Sequence, residues 1–187
     1  MSKKLILLIG APGSGKTTDG ALVAKNHAKE ITSYSTGVLL KQESQSGSAV
    51  GKIEENFLSH GDLVPTAIIL DVVMDAIKKA PTDIVLIDGF PRKAKQMQLF
   101  GDILFNHKEI ELLSVIEVKV SEATAKERFL ATGESEEVFE HSMRAYQETI
   151  EEIERFYQEQ DILKVIDGEQ SLDAVVSQID SFLASKL

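Results

Sequence analysis

Residues 4–18 read K-L-I-L-L-I-G-A-P-G-S-G-K-T-T. The apolar run at 5–9 has the length of a buried strand and breaks at Gly10. Gly10, Gly15, Lys16 and Thr17 then satisfy G-x-x-x-x-G-K-[ST] at every fixed position, with a helix predicted over 17–28. Glycines let such a loop curl, so that successive backbone N–H groups point inward at phosphate oxygens, and the helix N-terminus adds partial positive charge. Lys16 supplies a cation for the outer phosphates and Thr17 a hydroxyl for Mg²⁺. A chance glycine-rich turn would lack the strand before it and the helix after it. The stretch Gly10, Ala11, Pro12, Gly13, Ser14, Gly15, Lys16, Thr17 and Thr18 therefore reads as a phosphate cradle for a nucleoside triphosphate.

Outward from that loop, strands are predicted over 31–35, 83–87, 112–120 and 163–166, each a short apolar run ending near turn residues. Between them the pattern predicts a helical turn at 37–43 and helices over 49–60, 66–80, 93–106 and 121–131, the last capped by Ser121. One helix is predicted over 138–157, with Phe139, Met143, Tyr146, Ile150, Ile153 and Tyr157 on its core stripe and its glutamates in solvent. A final helix over 171–187 turns Leu172, Val175, Val176, Ile179, Phe182 and Leu183 inward. Strands alternating with helices, and reading as continuous apolar runs, predict an α/β fold: a parallel sheet covered on both faces. Ligands of such sheets sit at the carboxyl ends of the strands, where Gly10, Ser35 and Asp88 fall.

At 187 residues the chain suits one core. Its formal charge of −10 argues against nucleic acid or an anionic membrane as partner, because a phosphate backbone needs a basic face. Nucleotides remain compatible, since a few local cations dominate a pocket. The absence of cysteine excludes disulfides and thiolate metal sites. The four histidines show no ligand-like spacing. The N-terminal apolar run is too short for a membrane span or a signal peptide's core, so a soluble cytoplasmic protein is expected.

Asp88 ends an apolar strand in a chain with a phosphate loop, where a carboxylate serving Mg²⁺ or its waters is expected. Arg92 follows four residues later and offers a planar fork to phosphate. Read together, these segments resemble the adenylate kinases, within the nucleoside monophosphate kinases. G-A-P-G-S-G-K-T-T at 10–18 is similar to that family's phosphate loop, and S-T-G at 35–37 with L-L-K at 39–41 to its S-T-G-D-L-L-R element. G-D-L-V-P at 61–65 resembles its G-x-L-V-P, and D-G-F-P-R at 88–92 with Gln96 its D-G-F-P-R-x-x-x-Q. V-I-E-V at 115–118, A-K-E-R at 125–128 and V-I-D-G at 165–168 also correspond.

The resemblance implies a P-loop three-layer αβα fold with a five-stranded parallel sheet, a monophosphate-binding lobe at 33–62 and a lid at 130–138. It implies the reaction Mg·ATP + AMP = 2 ADP by direct in-line transfer. Lys16 would hold the donor phosphates, with Thr17 on Mg²⁺ and Asp88 on its waters. Arg128 would stack on the ATP adenine, beside the backbone from Val165 to Gly168. Ser35, Thr36, Gly37, Gly89, Phe90 and Gln96 would surround the AMP, Val64 would line its adenine, and Lys41 with Arg92 would hold its phosphate. Thr36 and Gln96 favour AMP over pyrimidine acceptors. ATP, AMP and ADP would be the partners of a monomer.

The chain departs from that pattern in its cations. It has only four arginines, Arg92, Arg128, Arg144 and Arg155. Thr132 and Ser142 stand where the family has arginines, the lid's R-x-D-D is missing, Val38 replaces an Asp and Lys41 an Arg. Arg144 follows Ser142 by two positions and so points about 200° away on a helix. Phosphoryl transfer depends on neutralising the equatorial oxygens, and one well-placed arginine is worth on the order of 10³ to 10⁵ in rate. The sequence thus allows a slow adenylate kinase with a shortened lid, a non-enzymatic nucleotide-binding homologue, or a kinase of another nucleoside monophosphate.

Overall fold

Neighbouring residues on a strand point to opposite faces, so five consecutive apolar side chains demand cover on both sides. In the computed structural model, which describes residues 2–48, 51–52 and 64–186, that strand is β1 (Lys3–Gly10), the centre of a five-stranded sheet. Its neighbours are β2 (Ile31–Ser35), β3 (Ile84–Asp88), β4 (Ile110–Lys119) and β5 (Leu163–Asp167), in the order β2-β3-β1-β4-β5 and parallel throughout. Leu5, Leu7 and Ile9 pack against α3 (Thr66–Lys79), α4 (Ala94–Asn106) and α7 (Ile150–Glu159). Ile6 and Leu8 pack against α1 (Lys16–Asn26) and α8 (Leu172–Ala184). This is the three-layer α/β architecture that the alternating pattern predicts.

Register sets the site. Leu8 and Ser35 both lie beside Asp88, and Gly10 beside Val118, so the carboxyl ends of the inner strands open on one rim. A smaller apolar cluster of Ala11, Ala125, Phe139 and Met143 seats α5 (Glu122–Ala131) and α6 (Glu136–Gln147) against the phosphate loop. Ser121, Ser135 and Ser171 cap α5, α6 and α8 by accepting the N–H of the third helical residue, a bond worth about 1 kcal/mol each.

Four sequence expectations are corrected. The helix predicted over 138–157 is two helices, α6 and α7, broken at Thr149, whose backbone leaves the helical region (φ −125°, ψ −20°). Its hydroxyl donates to the Arg92 carbonyl at 3.0 Å, a tie to the rim that a continuous helix would not make. Glu154 is no solvated glutamate: it pairs with Lys119 at 2.8 Å, close to Glu117, which is fully buried in β4. Leu172 is 43% exposed, on the first turn of α8. The helical turn at 37–43 is a longer helix, α2 (Thr36–Gln45). Apart from residues 51–52, the predicted helix over 49–60 lies outside the described residues, as do the 61–63 part of G-D-L-V-P and the rest of the proposed 33–62 lobe beyond residue 48.

Candidate active site

The phosphate loop rests on the backbone of α5. Gly13 has φ +82°, and a Cβ there would meet the Ala125 carbonyl oxygen at 2.0 Å, so only glycine fits. Ser14 N–H closes the loop onto the Ala11 carbonyl at 3.0 Å, and Lys16 Nζ reaches the same oxygen at 3.3 Å. Lys16 is half-buried, and the protein packed around it pushes its ammonium down to about 8, against a pull upward from Asp88. A phosphate would restore the lost solvation. Thr17 donates to Asp88 Oδ2 at 2.5 Å, while Asp88 Oδ1 and the Ser14 hydroxyl are buried without a partner among the described residues. A hydroxyl and a carboxylate with a free oxygen, beside a phosphate loop, suit a hydrated divalent cation.

The rim turns sharply after Asp88. Gly89 has φ +79°, and a Cβ there would sit 2.9 Å from both Arg92 Nη2 and Thr36 Oγ1. The Phe90–Pro91 peptide is cis. Arg92 Nε donates to the Gly89 carbonyl at 2.8 Å, and Arg92 N–H to Gln96 Oε1 at 2.8 Å. Crowding by protein lowers the guanidinium from the usual arginine value, partly offset by Asp88, yet one side of it stays open to water. Thr36 Oγ1 lies 3.0 Å from the Asp88 carbonyl and 3.1 Å from that of Gly89. Gln96 is 1% exposed, and its Nε2 has no partner among the described residues. Ser35 is the N-cap of α2, with Gly37 and Lys41 exposed on that helix. The side chains of Val64 and Phe90 belong to the core, where the Phe90 ring meets Phe100 edge-on at 5.0 Å.

Beside the loop lies a cleft of about 460 Å³. Of the sequence-predicted residues, Gly13, Ser14, Gly15, Lys16, Thr17, Thr18, Arg128 and Gly168 line it; Gly10, Ala11, Pro12 and Val165 do not. Arg128 Nη1 bridges the Ser14 carbonyl (3.1 Å) and the Gly168 carbonyl (3.0 Å), joining the loop to the turn after β5. The lining adds Asp19, Phe129, Thr132, Gln170, Leu172 and Val175. None of these was singled out as a site residue from sequence. Asp19, a carboxylate in the first turn of α1, was the most legible; it is buried, and that burial pushes its carboxyl up to about 6 against the pull of Arg128.

The segment 131–138 differs throughout. Every residue in it is exposed, and its charges are Glu134, Glu136 and Glu137. Glu136 pairs with Lys126 of α5. Arg144 and Arg155 are exposed on α6 and α7, which leaves Arg92 and Arg128 as the arginines of the cleft and rim.

A phosphate loop, a strand-end carboxylate bonded to its threonine and an arginine on the rim define a P-loop nucleotide phosphotransferase of the three-layer α/β class. Comparison with known proteins narrows that class. The model of the adenylate kinase family matches residues 8–162. An adenylate kinase of Sulfurovum sp. (strain NBC37-1) is 46% identical over 196 residues, covering 99% of this chain and all of the relative. Those of Wolinella succinogenes and Helicobacter hepaticus are 46% and 43% identical, each over 189 residues, again with 99% of this chain and all of the relative covered. The chain belongs to the adenylate kinase family. Similarity of that extent supports an enzyme rather than a binding-only homologue. Among the described residues no helix is long and apolar enough to cross a membrane.

Proposed function

We propose that the chain transfers the terminal phosphoryl group of Mg·ATP to AMP, forming two ADP, by direct in-line displacement between nucleotides held end to end. The observation that carries this is the contact between Thr17 and Asp88, with Lys16 beside it and Arg92 on the same rim. Thr17 and Asp88 would hold Mg²⁺, largely through water, and the ion would bridge the donor phosphates and offset their charge. Lys16 and the N–H groups of residues 13–18 hold the phosphates, with Lys16 following the group in transfer. Arg128 and the turn at Gly168 border the ATP base. Arg92 and Lys41 take the AMP phosphate. Thr36 and Gln96 read its adenine, where the unpartnered Gln96 Nε2 supplies a hydrogen-bond donor.

With Thr132 and Ser142 in place of arginines, turnover is lower than in relatives that keep them. The proposed lobe at 33–62 and lid at 130–138 would close over the nucleotides. The same reading makes the protein a cytoplasmic monomer acting on free nucleotides, with neither nucleic acid nor membrane as partner. The test is a coupled assay of ADP formation with AMP, CMP, UMP or GMP as acceptor. Turnover with AMP above the others is expected; no turnover with any acceptor at saturating Mg·ATP overturns the proposal.

A further inference from the structure

The turn after β5 is tied down from both ends of one helix. At the start of α5, the Glu169 carboxylate accepts the Ser121 N–H at 2.5 Å on Oε1 and the Thr124 hydroxyl at 2.7 Å on Oε2. Those bonds, with the nearby Arg128, hold the Glu169 carboxyl below the usual glutamate value, so it is ionised near neutral pH, and its charge sits favourably at a helix N-terminus. Within the turn, Glu169 N–H donates to Asp167 Oδ1 at 3.0 Å and Gly168 N–H to the Lys119 carbonyl at 2.8 Å. From the far end of α5, Arg128 reaches the Gly168 and Ser14 carbonyls. Phosphate loop, helix and turn therefore form one hydrogen-bonded ring, and Gly168, Gln170 and Leu172 on that ring line the cleft.

We propose that Glu169 is a positioning residue of the donor site: its two bonds to the first turn of α5 hold residues 167–172 as a fixed wall against which the base of ATP packs. Glu169 itself lies outside the cleft lining and touches no reacting atom. It is exposed, so its bonds add little to global stability. Its effect is local preorganisation, since a wall already in place spares the ligand the entropy of ordering it. The residues assigned to AMP lie at the end of β2, on α2, just before α3, in the turn after β3 and on α4, and none of them belongs to this ring. Loosening the turn therefore weakens ATP and spares AMP.

This inference rests on the donor-site reading above, and the experiment separates the two. Calorimetric titration with Mg·ATP is run on the intact chain and on Glu169→Ala, Glu169→Gln and Thr124→Val, alongside steady-state kinetics. Glu169→Ala is expected to weaken ATP affinity about tenfold and raise the KM for ATP in parallel, with the KM for AMP and kcat at saturation within about twofold. Gln keeps an acceptor for Ser121 N–H and recovers most of the loss, while Thr124→Val, which removes one bond, falls between. An unchanged ATP affinity in Glu169→Ala, or equal losses for ATP and AMP, overturns the role of Glu169 alone. Failure of the intact chain to bind Mg·ATP overturns the donor site with it. If Glu169→Ala does not fold, Thr124→Val carries the same test.

Discussion

On the floor of the site, at the ends of two central strands, Lys16 is bonded to the Ala11 carbonyl and Thr17 to Asp88, with Arg92 beside them on the rim. The connection at 131–138 is exposed at every residue, carries three glutamates and has no basic residue. Both regions border a site meant for highly charged phosphates, yet only the floor supplies cations. Charge compensation is therefore concentrated on the hydrogen-bonded strand ends, and the exposed connection brings no cation to it. Preorganised charge stabilises a transition state without reorganising at the moment of reaction, so the floor is the more effective place for the few cations the chain has.

If the floor carries transfer, its residues are the most sensitive. Lys16→Ala is expected to lower kcat by on the order of 10³ or more, because the ammonium lies where charge moves. A variant retaining near-full rate in the coupled assay would place the donor elsewhere. Arg92→Lys keeps the charge but loses the fork and the Nε bond to Gly89, and a fall of about 10² in kcat/KM for AMP is expected, with KM for ATP unmoved.

Beneath the floor, Glu117 lies next to Ile9 in register and faces Tyr146 of α6 and Glu154 of α7, with Lys119 paired to Glu154. Burial and the neighbouring Glu154 raise its carboxyl from the ordinary 4.5 to about 7. The folded chain thus keeps a proton that the unfolded chain releases, and stability falls as pH rises from about 4.5 to about 7, then levels. Glu117→Gln, which can still accept from Tyr146, should remove that slope and gain on the order of 1–3 kcal/mol at pH 8 relative to pH 5. Urea denaturation of both proteins at the two pH values measures it; an equal difference at each would show that Glu117 does not titrate in this window.

The smallest effect is expected from the connection. Thr132→Arg places a cation on the cleft lining, at the position where the family resemblance implies an arginine, and should raise kcat about three- to tenfold, roughly 1 kcal/mol of barrier. A gain of a thousandfold would mean that the floor does far less than assigned here.

Much of this was legible because the signals are local. A phosphate loop is a run of backbone angles set by neighbouring glycines, and a buried parallel strand is a continuous apolar run, so β1, its loop and the sheet could be read directly. The break at Thr149 could not, because the carbonyl that holds its hydroxyl belongs to Arg92, 57 residues away. Leu172 sits at helical spacing with true core positions, and only the turn before it shows that it borders the cleft instead. Asp19, Phe129 and Gln170 come from three distant segments that share no pattern; the sheet topology brings them together.

The central claim is that two nucleotide sites adjoin on one floor. Its most direct test is the melting temperature of the intact chain with a mimic joining two adenosines through five phosphates, compared with ATP alone and AMP alone at equal concentration. Linking ligands for adjoining sites makes the second binding event intramolecular, and a ligand that binds only the folded chain stabilises it. The mimic should raise the melting temperature well beyond either nucleotide. A shift no larger than that of ATP alone would contradict the account.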